Sequence, residues 1–138
     1  MHEWHEWPVR VYYEDTDAEG VVYFANYLKF MERGRTEWLR LHGIEQDVLR
    51  REEDLCFVVT ETDLRFRRPA QFNDQLVVRT RLTQCGHARF ELDQNVHRLA
   101  DPKALVTSRC VAACVSADEF KPRRMPARLR SALSRDKK

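Results

Sequence analysis

Asn26-Tyr27-Leu28-Lys29-Phe30-Met31-Glu32-Arg33-Gly34-Arg35-Thr36-Glu37-Trp38-Leu39-Arg40-Leu41-His42 carries the clearest helical pattern in the chain. Tyr27, Phe30, Met31, Gly34, Trp38 and Leu41 recur at helical spacing and form one apolar stripe. The pattern predicts a helix over 26–42, with Asn26 as N-cap and Gly43 just past the C-terminus. Gly34 costs a helix interior about 1 kcal/mol relative to Ala. Its place on the apolar stripe points to a close approach of helix backbone to a sheet.

Outward from the helix, the chain reads as strands. Upstream, Val9-Arg10-Val11-Tyr12-Tyr13 alternates and is β-rich, so a strand is expected there. Glu14 to Gly20 is an acidic loop. The start, Met1-His2-Glu3-Trp4-His5-Glu6-Trp7, is read as a strand extension packing its two Trp, with a divalent metal at His2 and His5 as the lesser alternative. Downstream, a short helix is expected over 45–51. A strand over 57–67 sets Val58, Thr60, Thr62, Leu64 and Phe66 on one face. A strand over 75–83 alternates Leu76, Val78, Thr80 and Leu82, and a strand over 88–97 alternates Ala88, Phe90, Leu92 and Val96. Residues 104–116 are apolar on both faces, which suggests a central strand. A short helix follows Pro126.

One long helix and a five-stranded, mostly antiparallel sheet make a two-layer α+β fold. Such a sheet leaves its second face and an edge to be covered, so a homodimer or homotetramer is expected.

Length and composition agree with one domain spanning 1–138. The chain has 138 residues, 43% hydrophobic and 33% charged, with four Gly and five Pro, which excludes collagen-like, disordered and disulfide-scaffold classes. No apolar run reaches the roughly 20 residues of a membrane span. The acidic N-terminus lacks the apolar core of a signal peptide, so a cytoplasmic protein is expected. Cys56, Cys85, Cys110 and Cys114 form no C-x-x-C pair and are read as inert thiols. The net charge of +2 hides an asymmetry: residues 121–138 carry +7 and the first 120 carry −5. The basic tail reads either as an anion contact or as a solvated helix end.

The densest polar constellation precedes the long helix: Glu14, Asp15, Asp17 and Glu19, four carboxylates within six residues. Three readings compete. Asp15-x-Asp17 offers oxygen ligands to a metal, although the EF-hand pattern is absent. A carboxylate beside the helix N-terminus, where free N–H groups polarise a carbonyl, can attack it or activate water. An acidic turn that balances the helix dipole needs no chemistry.

Tyr13-Glu14-Asp15-Thr16-Asp17-Ala18-x-Gly20-Val21-Val22-Tyr23-x-Ala25-x-Tyr27, followed by Phe30-x-Glu32-x-Gly34-Arg35-Thr36-Glu37, resembles the signature of the 4-hydroxybenzoyl-CoA thioesterase family, in particular its YbgC-type acyl-CoA thioesterases associated with the Tol-Pal system. The resemblance continues through Pro69-Ala70 with Asp74 to Lys121-Pro122-Arg123. It implies the hotdog fold, a long helix wrapped by a curved antiparallel sheet. It implies hydrolysis of an acyl-CoA or aryl-CoA thioester with no metal or organic cofactor, coenzyme A being part of the substrate. The family's catalytic carboxylate falls on Asp17, as nucleophile or general base. The amide that holds the carbonyl oxygen falls on Phe24, where YbgC-type chains commonly carry His and another branch carries Tyr. The backbone N–H at Phe24 is independent of that difference.

Asp15 is read as a loop support that accepts backbone amides, and Glu37 as an i,i+4 surface partner of Arg33. Arg89 is the candidate contact for the coenzyme A phosphates, with His87, Arg123 and Arg124 beside it. Two other functions stand against hydrolysis. A catalytically weak acyl-binding or interaction module is favoured by Phe24 and opposed by Asp17. Nucleic-acid binding through the tail lacks the aromatic residues that reading bases requires. The acyl group is not legible in the sequence.

Overall fold

The computed structural model describes residues 2–135. The elements in chain order are β1 (His5–Arg10), α1 (Asn26–Leu41), α2 (Gln46–Glu53), β2 (Leu55–Phe66), β3 (Gln75–Cys85), β4 (Arg89–Arg98), β5 (Ala104–Ser116) and α3 (Ala127–Ser134). The five strands form one sheet in the order β1-β3-β4-β5-β2, every neighbouring pair antiparallel. α1 lies across its concave side, which is the hotdog arrangement expected from the sequence.

The apolar stripe of α1 divides the core in two. Tyr27, Phe30 and Met31 pack with Val9, Leu76, Val78, Val96 and Leu105 at one end. Trp38 and Leu39 pack with Leu82, Phe90, Leu92, Ala112 and the α3 residues Leu129 and Leu133 at the other. Leu39, not Leu41, completes the buried stripe.

Between the halves the helix meets the sheet most closely. A Cβ added at Gly34 would stand 2.6 Å from Val78 Cγ1. Beside it, fully buried Gln94 donates from Nε2 to the Met31 carbonyl and to Thr80 Oγ1, both at 2.9 Å. This polar pin satisfies its own groups while fixing where along the sheet α1 sits.

Four expectations are corrected. The first strand begins earlier and ends at Arg10, because the Asp15 carboxylate accepts the Tyr12 N–H at 2.8 Å and winds Tyr13–Asp15 into a 3-10 turn. Asn26 is the first helical residue rather than the cap, which is Ala25. Its side chain instead donates to the Asp15 carbonyl at 2.8 Å. In β2, Val59 pairs with Ala112 and Glu61 with Val111, so Thr60 is an extra residue. That bulge reverses the alternation. Phe57 and Val59 share the inner face with Thr62, Leu64 and Phe66, and Val58 does not. Glu37 pairs with Arg40, one turn on, while Arg33 lies over the Phe30 ring.

Gly43 takes its expected place after the helix with φ +79°. β5 is an interior strand between β4 and β2. The convex face of the sheet carries ion pairs, Arg109 with Glu61 and Glu91, and Arg81 with Asp93. Exposed pairs add little stability, but they leave that face hydrated. The sheet has two edge strands among the described residues, β1 of 6 residues and β2 of 12, and β2 is the longer. All four cysteines are free, and burial pushes the thiols of Cys85, Cys110 and Cys114 up, which keeps them protonated and inert.

Much of the basic tail is paired within the chain. Arg128 pairs with Glu53, Lys121 with Glu119, and Arg130 donates to His87 Nδ1. The last part of the tail, 136–138, lies outside the described residues.

Gly34→Ala tests the close approach. Helix propensity alone would gain about 1 kcal/mol. Overpacking against buried Val78 costs about 1–3 kcal/mol, so the net effect is destabilising. A lower urea midpoint is expected, recovered in part by Val78→Ala in the same chain.

Candidate active site

The acidic loop is a closed hairpin joined to the start of α1. Thr16 bridges Val22, the Asp17 N–H donates to the Val21 carbonyl at 2.9 Å, and Gly20 turns the chain at φ +80°. Asp17 Oδ1 accepts the Glu19 N–H at 2.8 Å, which fixes the carboxylate in the manner of an Asx turn. Its Oδ2 has no donor among the described residues and is free to meet a ligand.

Asp15 does the structural work assigned to it. Its carboxylate holds Tyr12, and its carbonyl accepts both the Tyr23 N–H at 2.9 Å and the Asn26 side chain. The loop that carries Asp17 is thereby tied to the first turn of the helix. Tyr13 stacks on Phe72 with ring centroids 3.8 Å apart, bracing the loop against the chain before β3.

Asp17 and Phe24 line one open cavity of about 350 Å³ together with Val21, Val22, Tyr27, Phe66, Arg67, Arg68 and Pro69. The Phe24 N–H has no acceptor among the described residues and stands just ahead of α1. It therefore adds to the positive end of the helix dipole. The Phe24 ring is 59% exposed and meets Phe66 edge-on. Tyr27 is buried, and its hydroxyl accepts the Ala70 N–H at 3.1 Å. Burial pushes this phenol up, the Ala70 hydrogen bond acting in the opposite direction, so it stays neutral and serves as wall. A carboxylate, a free amide at a helix start and an apolar wall are the parts needed to seat a carbonyl and attack it.

Arg89 is not part of this cavity. It opens β4 opposite Ala113, whereas Phe66, at the cavity, is opposite Val106. Seven residues of β5 separate them, roughly 23 Å at about 3.3 Å per residue. The cations that line the Asp17 cavity are Arg67 and Arg68. Arg68 is tied to the Lys103 carbonyl and to Asp101, while Arg67 is exposed. Sequence reasoning passed over both, although the run Arg65-x-Arg67-Arg68-Pro69 at a strand end was the signal for them. No group of three or more His, Cys, Asp or Glu that could hold a metal ion occurs among the described residues, and no helix among them is long and apolar enough to cross a membrane.

The comparisons with known proteins show the family and the fold. The profile of the Thioesterase-like superfamily matches residues 11–133. The acyl-CoA thioester hydrolase YbgC of Escherichia coli O6:H1 is 40% identical over 120 residues, which cover 87% of this chain and 88% of the relative. The acyl-CoA thioesterase YbgC of Haemophilus influenzae is 39% identical over 128 residues, 91% of each chain. The crystal structure of a probable thioesterase from Bartonella henselae superposes with a TM-score of 0.84 at 40% identity, covering 90% of this chain and 100% of that one. On this profile match, and on identities near 40% over most of each length, the chain belongs to the thioesterase-like superfamily and, within it, to the YbgC acyl-CoA thioesterases.

Proposed function

We propose that the protein hydrolyses a small acyl-CoA thioester, with Asp17 as the reacting carboxylate and the Phe24 N–H polarising the carbonyl. The carrying observation is that Asp17, with a free carboxylate oxygen, lines the same cavity as the start of α1, where the Phe24 amide is unpaired. Water adds to the acyl carbon, the C–S bond breaks, and the thiolate leaves as the coenzyme A thiol. Asp17 either attacks first, giving an anhydride that water opens, or takes the proton from the attacking water. The negative charge that develops on the carbonyl oxygen in both routes is met by the Phe24 N–H and the helix dipole. The unpaired thiols support a reducing, cytoplasmic setting.

The working unit in this proposal is a homodimer formed along β2. This strand is an edge of 12 residues. Val59 and Phe66 on β2, with Phe24 and Leu28 at the start of α1, leave apolar side chains exposed along that side. Antiparallel pairing of β2 with its own copy satisfies the edge and obeys two-fold symmetry. It sets the Leu55 end of one copy beside the Phe66 end of the other. Arg89 of a second copy then reaches the same end of the assembly as Asp17, where coenzyme A phosphates would meet it. The hydrated convex face gives no comparable reason for a tetramer.

Asp17→Asn keeps the side chain's size and removes its charge. Turnover is expected to fall at least about 100-fold in a chromogenic thiol assay over an acyl-CoA panel, with the melting temperature little changed. Near-normal hydrolysis by folded Asp17→Asn would remove Asp17 from the mechanism. Phe24→His leaves the amide in place, so it is expected to alter turnover less than Asp17→Asn and to add an ionisation near about 6.5 to the pH profile. A wild-type protein silent on the whole panel while Phe24→His is active would show that the side chain is essential, and the acyl-binding module would become the better reading.

Light scattering at micromolar concentration is expected to give twice the 16.5 kDa chain mass. Val59→Arg on the edge is expected to shift the protein towards monomer and to reduce turnover with it. A monomeric wild type would refute the composite site.

A further inference from the structure

A second cavity, smaller and more enclosed than the Asp17 cavity, lies between the middle of α1 and the inner face of β2, β4 and β5. Its volume is about 160 Å³. Phe57, Phe90, Leu92 and Ala112 make one side apolar, while Glu32, Arg35 and Thr36 of α1 and Gln46 of α2 give the other side polar groups. A closed apolar space near this size accommodates benzene, so about six non-hydrogen atoms fit.

Arg35 is the unusual member of this lining. Its guanidinium is half-buried, and its one hydrogen bond runs from NH1 to Gln94 Oε1 at 3.1 Å. No carboxylate among the described residues pairs with it. Glu32 at the rim accepts from Thr36 Oγ1 at 3.2 Å, and Glu37 is taken by Arg40. Gln94 is itself pinned by the Met31 carbonyl and Thr80, so one corner of the guanidinium is held in place while its other donors stay open. Glu32 lines the same cavity but is engaged by Thr36, and a half-buried cation that makes no ion pair is costly. Its planar fork matches a carboxylate with two parallel hydrogen bonds.

We infer that this cavity takes the acyl group of the substrate and that Arg35 selects short acyl groups ending in a carboxylate, of the glutaryl class. Three methylenes and a carboxylate make six non-hydrogen atoms beyond the thioester carbonyl, which matches the space. The inference rests on the thioesterase reading and on the β2-paired dimer. Val59 stands at the rim of the cavity on that edge strand, so the cavity of one copy opens toward the Asp17 end of the other.

The test compares kcat/KM for glutaryl-CoA and pentanoyl-CoA in the wild type, Arg35→Met and Arg35→Lys, with thermal melts to establish folding. Wild type is expected to favour glutaryl-CoA by about 10-fold or more, the worth of one charged hydrogen-bonded pair. Arg35→Met is expected to collapse or invert that ratio, chiefly through the KM for glutaryl-CoA, and Arg35→Lys to restore part of it. A wild type that prefers pentanoyl-CoA, or an unchanged ratio in Arg35→Met, overturns the inference and leaves the thioesterase reading intact. A purely structural role through Gln94 would give that unchanged ratio, because it moves both substrates alike. Absence of hydrolysis with every acyl-CoA overturns both.

Discussion

Gln94 and Gly34 together hold α1 on its sheet, and most of what the protein can do follows from where they put it. A buried glutamine amide reaches a helix carbonyl and a strand hydroxyl at once. The missing side chain at Gly34 lets the helix backbone come down onto Val78. Hydrophobic packing on either side is non-directional and would tolerate a helix shifted along its groove. The polar pin would not, because any shift leaves a buried amide unpaired at a cost of about 1–3 kcal/mol. With the middle of the helix fixed, its first turn projects at the end of the sheet where β2 finishes and β3 begins.

The acidic loop is built onto that first turn by one residue's backbone and side chain. Asp15 bends the chain out of β1 with its carboxylate and takes the helix start with its carbonyl. Asp17 is then carried by a hairpin whose two ends are anchored, one to the 3-10 turn and the other to Ala70 through Val22. The two aspartates of Asp15-x-Asp17 have divided labour because their surroundings differ. Asp15 is buried, with donors around it, while Asp17 is exposed with one oxygen engaged and one free. A carboxylate fixed in this way loses little freedom on meeting a carbonyl, which is the advantage of a site ordered in advance.

The edge strand β2 links the two cavities. Its bulge at Thr60 turns Phe57 and Val59 inward at one end and keeps Leu64 and Phe66 inward at the other. One end lines the enclosed cavity beneath α1, and the other borders Asp17. Within a single chain these ends are far apart. The proposed two-fold pairing of the strand would bring the unlike ends together, setting Asp17 of one protomer near the enclosed cavity of the other.

The sequence by itself determined the order of the elements, the length of α1, the closeness at Gly34 and the role of Asp15 as loop support, and it singled out Asp17 as the candidate reacting carboxylate. These are local properties, set by periodicity, by turn chemistry and by a signature without gaps. Tertiary structure decided the rest. The Thr60 bulge depends on how β2 registers against β5, and no alternation in β2 alone reveals an extra residue. Asn26 left its expected capping role because the Asp15 carbonyl, eleven residues earlier, comes within reach only once the loop folds back. Arg89 and Arg67 look alike as exposed arginines in the sequence. Their distances from Asp17 are fixed by the direction in which antiparallel strands run, so only the folded sheet shows that Arg67 lies at the cavity and Arg89 at the far end.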